Sequence, residues 1–405
     1  MSVQLLAIKF NHDSASATND GLNLRKNGAQ FISVPEWQRG ISINPEDSLA
    51  AYAVAQVHGN TVTIQAKFKR LVPELTTVEI RALDATIDPP GQEGCLGILL
   101  RLLRALFRAL FGNVLGEVAA RQVSFGASGE TAFESFQLIN TKLNTAFVGT
   151  RTTSWRWQYR TGASDPWHDF DTSAHRIYVL LDLPTAPWQQ LPYAAGNVQL
   201  PWTEVLDYAC NWAFGATATT DAACGVTRST YQLGPSRITY DCPGGGSTHY
   251  ASPSFNCTAF LDRVRGGPGA GYYVNCTDCA TIVATFANVL GCDLWESRMG
   301  GWYFDLNPLL GIGSAVWQTA CGWAGFSYHE VAWTGACDVN DRVFDACLQV
   351  DGDADPTSAP HTPLLPCDLR FGNPGDGDYR DRLATPAGRP TCDPQPATRR
   401  RRPVF

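Results

Sequence analysis

Tyr273-Val-Asn-Cys276-Thr277-Asp278-Cys279-Ala280-Thr281-Ile-Val283-Ala-Thr285-Phe286-Ala-Asn288-Val-Leu290-Gly291 is the run on which the fold turns. At helical spacing, Thr277, Thr281, Thr285 and Asn288 fall in one narrow polar stripe. The opposite face carries Cys279, Val283, Phe286 and Leu290, and Gly291 closes the run. The pattern predicts a helix with one face buried. Cys279 falls near the middle of that face, one turn in, whereas Cys276 falls in the first turn toward one flank. Backbone N–H groups of a first turn lack intrahelical partners, and the helix dipole favours an anion there. Both effects favour a thiolate, so position selects Cys276 over Cys279 as a nucleophile.

Two strand-like runs lie downstream. GFSYHEVAW (325–333) alternates so that His329, Val331 and Trp333 share a side, and RVFDACLQV (342–350) so that Val343, Asp345 and Cys347 do. Thr334 to Asp341 has the length of a hairpin connection. An imidazole and a carboxylate on adjacent strands, facing a helix N-terminus that bears a cysteine, make up a thiol-nucleophile site. The base takes the thiol proton and the carboxylate holds the imidazole tautomer.

On these residues the sequence resembles the transglutaminase-like cysteine enzymes. Cys276-x-Asp278-x-Ala280 looks like the nucleophile helix of that superfamily, and His329-x-x-x-Trp333 and Val343-Phe344-Asp345 look like its His and Asp strands. The resemblance covers roughly Trp202 to Asp351. It implies a papain-like α+β fold, a triad of Cys276, His329 and Asp345, and chemistry through an acyl-thioester. Val274 and Asn275 stand where the family places a glycine just before the cysteine, and Ala346-Cys347 follow the aspartate. The backbone N–H of Cys276 is a first oxyanion donor; the sequence singles out no side-chain donor.

Outward from this core, a chain of 405 residues has room for two or three domains. Only 17% of its residues are charged, and the net charge is −7, which gives no warrant for specific nucleic-acid binding. QLLAIKF, TVEIRAL, RQVSF, SWRWQYR and HRIYVLLDL read as strands. AVAQV, a turn at His58-Gly-Asn60 and TVTIQAKF read as a hairpin. An immunoglobulin-like β-sandwich is therefore expected over 1–184, with a helical insertion near 95–120. Inside the insertion, CLGILLRLLRALFRALF (95–111) places Arg101, Arg104 and Arg108 in one cationic stripe. That stripe suits a membrane surface or a partner's groove. The plainer alternative is an amphipathic helix packed on its own sheet.

Proline punctuates the chain at Pro184 and Pro187, and TEVLDYACNWAFG then has helical spacing. The catalytic domain is expected over 185–370. Residues 371–405 read as an irregular Pro/Gly-rich tail whose Arg399–Arg402 run is a flexible, solubilising end. Thirteen cysteines cannot all pair, and MSVQLLAIKFNHD has no secretory pattern. Reduced thiols and a cytoplasmic location are expected, signal-independent export being the alternative.

No cofactor or metal is called for. Cys276-x-x-Cys279 lacks the exposed strand-to-helix setting of a redox pair, and Cys292, Cys321 and Cys337 lack zinc spacing. Asp351, Asp353 and Asp355 read as a solvated acidic turn rather than a calcium loop. The remaining histidines, His175 among them, read as ordinary surface or loop residues. The functional expectation is a thiol acyl-transfer enzyme acting on protein or peptide amides, first of all a cysteine peptidase. A deamidating or crosslinking effector and a non-catalytic scaffold with an idle triad are the alternatives.

Overall fold

The computed structural model describes residues 2–12, 20–26, 30–54, 62–85, 113–188 and 199–405. These form two compact units. One consists chiefly of Met1–Arg25 and Phe31–Leu183, the other of Pro184–Gln189 and Tyr193–Phe405. Together they make an α+β protein.

The first unit is built on nine strands: β1 (Val3–Lys9), β2 (Trp37–Gln38), β3 (Leu49–Ala53), β4 (Thr63–Arg70), β5 (Thr77–Asp84), β6 (Glu117–Ser124), β7 (Glu134–Ile139), β8 (Gly149–Arg160) and β9 (His168–Leu180). Their spatial order is β2-β1-β4-β7-β6-β5-β8-β9-β3. Period-two alternation drives the pairing: Ile64, Ala66 and Phe68 of β4 and Val78, Ile80 and Ala82 of β5 all point inward. Phe68, Phe136 and Trp157 meet edge to face with centroids 5.5–6.3 Å apart. Asp171 of β9 accepts a hydrogen bond from Leu5 N of β1 and pairs with Arg39, so the sheet nearly closes on itself. The result is one mixed, barrel-like sheet rather than two stacked antiparallel ones.

Two expectations for this unit are corrected, those for His175 and for the end of the helical insertion. β3 lies parallel to β9 while β4 pairs with β1 and β7; residues 55–61 of the expected hairpin lie outside the described residues. His175 is fully buried on β9 between the hydroxyls of Ser48 and Ser173, and burial pulls its ring down to about 3. Glu117 to Ala120, placed at the end of the helical insertion, instead belong to the strand that RQVSF continues. Arg101, Arg104 and Arg108, with the 95–111 run and the turn at 58–60, lie outside the described residues.

The second unit sets helices against a five-stranded antiparallel sheet. The helices are α1 (Thr203–Trp212), α2 (Thr219–Tyr231), α3 (Cys257–Arg265), α4 (Cys276–Asn288) and the short α5 (Tyr379–Leu383). The sheet holds β10 (Trp295–Met299), β11 (His329–Trp333), β12 (Arg342–Phe344), β13 (Cys367–Arg370) and β14 (Pro394–Arg400) in the order β13-β12-β11-β10-β14. Every residue of α4 is buried. Its polar stripe faces the sheet: Thr277 Oγ1 lies 2.9 Å from Glu330 Oε2, and Thr281 Oγ1 lies 2.8 Å from Glu296 Oε2.

The tail is not loose. Residues 379–383 form α5, and β14 pairs with β10 at the sheet edge, because Arg400, Arg401 and Arg402 each find a carboxylate. Nor are all the thiols reduced: Cys224 pairs with Cys367, and Cys242 with Cys321. Asp351, expected to be solvated, is buried and takes hydrogen bonds from His361 Nδ1, Asp353 N and Thr362 N. His361 is thereby no ordinary loop residue.

Candidate active site

Helix α4 starts where it does because Asn275 and Asp278 cap it reciprocally. Asn275 Oδ1 accepts from Asp278 N at 3.0 Å, and Asp278 Oδ2 accepts from Asn275 N at 3.1 Å. Asp278 also takes the N–H groups of His249 and Tyr250, tying residues 249–250 to the first turn. The cap fixes Cys276 at the first helical position, with 5% of its surface exposed.

β11 and β12 pair through Ala332↔Phe344 and Trp333↔Val343, which brings the start of one strand beside the end of the other. His329 Nε2 and Asp345 Oδ2 are 2.9 Å apart, both side chains essentially buried. The ring stacks on Phe326, centroids 5.3 Å apart and planes 13° from parallel. Its other nitrogen, Nδ1, meets no partner at full hydrogen-bond geometry among the described residues. Besides Asp345, the side chain whose hydrogen bonding and charge act on the ring is Cys276. Burial alone would lower the imidazole; Asp345 first, then Cys276, outweigh it and push His329 up to about 10. The three residues singled out from the sequence therefore converge on one place.

Asp345 is held by more than the histidine. Its Oδ1 accepts from Cys347 N at 2.8 Å, and its Oδ2 accepts from the hydroxyl of Tyr379 at 2.7 Å. Tyr379, fully buried on α5, lies in the segment that the sequence presents as tail, and no motif marks it. Tyr240 was equally unmarked. It sits where Thr239–Tyr240 runs parallel to Tyr273–Val274, just ahead of the nucleophile helix. Burial pushes its phenol up, and the charge of Cys276 adds to this before those of Cys347 and Cys279. Trp323 meets the Tyr240 ring edge-on at 6.2 Å, and the Cys242–Cys321 disulfide joins the two segments that carry these rings. Cys279, the rejected cysteine, faces Cys347 instead.

No family model matches the chain, and no curated protein matches its sequence. Among solved structures it is similar to red sea bream transglutaminase, at 9% identity and a TM-score of 0.34. The match covers 81% of this chain and 51% of that one, so the chain spans about half the length of the transglutaminase. This is a distant fold relationship.

Proposed function

We propose that this chain is a thiol-dependent acyl-transfer enzyme of the transglutaminase-like kind, acting on protein or peptide amides. The observation that carries the reading is the buried His329, which bonds Asp345 through Nε2 and whose ring is influenced by Cys276 as well. With its ring pushed up to about 10, His329 favours the imidazolium, and a cation beside a thiol favours the thiolate–imidazolium pair.

Cys276 Sγ attacks the amide carbonyl carbon, and the electron pair moves to the oxygen. The N–H of Cys276 and the hydroxyl of Tyr240 are the donors to that oxyanion. His329 gives its proton to the leaving nitrogen as the C–N bond breaks, leaving a thioester on Cys276. Water, losing a proton to His329, then attacks the thioester and releases a carboxylic acid and the thiol. Asp345 keeps Nε2 protonated throughout, so Nδ1 is the nitrogen that exchanges the proton. Hydrolysis of a backbone amide is the reading favoured here.

The test compares, by mass spectrometry, the proteins of cells making the wild type with those of cells making Cys276→Ala. Cleaved chains present only with the wild type support peptidase action. Released ammonia without cleavage moves the assignment to deamidation, and joined chains move it to crosslinking. Identical protein profiles, together with slow and uniform iodoacetamide labelling of many thiols, would leave a scaffold with an idle triad.

A further inference from the structure

Beneath the first two turns of α4 lie two buried carboxylates, Glu296 of β10 and Glu330 of β11. Thr277, next in sequence to Cys276, is hydrogen-bonded to Glu330, and Thr281 to Glu296. Two uncompensated anions here would oppose a third on the sulfur. Three arginines answer them. Of the two carboxylates, the guanidinium groups of Arg298 and Arg400, each about a third exposed, pair with Glu330. Arg402 is different: 6% exposed, it contacts Glu296 and lies 3.1 Å from Glu330 Oε1 and 2.9 Å from Thr281 Oγ1. Its backbone N–H donates to Glu296 Oε1 at 3.1 Å.

The flanks of Arg402 are anchored as well. On one side β14 pairs with β10; on the other, Val404 exchanges hydrogen bonds with Gln199 and bridges to Phe255. Burial pulls the guanidinium down to about 10, while the charges of Asp278 and then Cys276 hold it up. Arg402 therefore feels the nucleophile's charge, and the nucleophile must feel that of Arg402.

We propose that Arg402 is a positioning residue for the Cys276 thiol: by clamping Glu296 and Glu330 under the helix start, it fixes the first turn through Thr277 and Thr281 and balances the charge beneath the sulfur. The inference rests on Cys276 being the nucleophile. The other groups in charge contact with Cys276 are Tyr240, Cys279, Tyr328, His329 and Cys347, with Asp278 on the same turn and Asp345 behind the histidine. None of these other groups bridges the two glutamates. A positive charge at 402 is needed, so Arg402→Lys retains most of the effect and Arg402→Met does not.

The experiment is the rate of iodoacetamide alkylation at Cys276, read site by site by mass spectrometry from pH 4 to 9 on the full chain. In Arg402→Met the acid limb moves up by about one pH unit, so alkylation below the limb is about tenfold slower than wild type. In Glu330→Gln, which removes an anion instead, the limb moves down. A folded Arg402→Met with the wild-type limb overturns the inference. If that variant does not fold, an unmoved limb in Glu330→Gln overturns it equally. Slow, unselective labelling of Cys276 in the wild type is a different result: it removes the functional reading itself.

Discussion

Replacing Asp345 by Asn isolates the charge from the shape of the site. The rise of His329 from 6.5 to about 10 corresponds to about 5 kcal/mol of preference for the charged ring in the fold. Asp345 is the largest of the influences that raise the ring, so Asp345→Asn forfeits a few kcal/mol of that preference, on the order of the net figure itself. The sign follows from linkage: a histidine raised in the fold binds its proton more tightly there than in the unfolded chain. Its contribution is full below pH 6.5 and is lost as pH climbs through 10. The stability deficit of Asp345→Asn, measured by urea unfolding followed through tryptophan fluorescence, is therefore largest at pH 6 and shrinks steadily to pH 10. What persists at pH 10 is the loss from the weakened bonds to Tyr379 and Cys347, about 1–2 kcal/mol. A deficit of the same size at every pH would mean that Asp345 does not hold the ring charged, and the reasoning would fail.

Tyr379→Phe removes one of the two donors on Asp345 Oδ2, so thermal denaturation should report a loss of about 1–2 kcal/mol and turnover should fall about tenfold with KM little changed. Thr281→Val keeps the volume but strips the hydroxyl that meets Arg402 and Glu296; urea unfolding should show a loss of about 1–3 kcal/mol, and none would mean the contact is idle. In the first unit, burial pushes Glu36 up to about 7 against an ordinary 4.5, so the native state holds the proton more tightly and stability falls as pH rises between those values. Relative to Glu36→Gln, wild-type stability should drop by about 3 kcal/mol between pH 4.5 and 8, as read by denaturant midpoints.

Much of the candidate site was legible because its signals are local. Alternation put His329 and Asp345 on inward faces, and the 276–291 pattern carried a helix with Cys276 at its mouth; the sheet then brings the three together. What failed has a common cause, namely contacts made across long stretches of sequence. Tyr379 reaches Asp345 over 34 positions and Arg402 reaches Glu296 over 106, so neither composition nor spacing could distinguish them from a polar tail. The threonine stripe is legible as a stripe, but Thr277 and Thr281 face sheet carboxylates rather than water, and sequence does not tell those apart.

That stripe has a mechanical consequence. Neighbouring residues on an α-helix are separated by about 100° of rotation. A slip of one position would set Asp278 and Ile282 against Glu330 and Glu296, leaving an anion against an anion and a hydrocarbon against the other. The hydroxyls thus act as a key in a keyway. They allow the rod one azimuth and one depth, and the sulfur at its tip inherits that indexing.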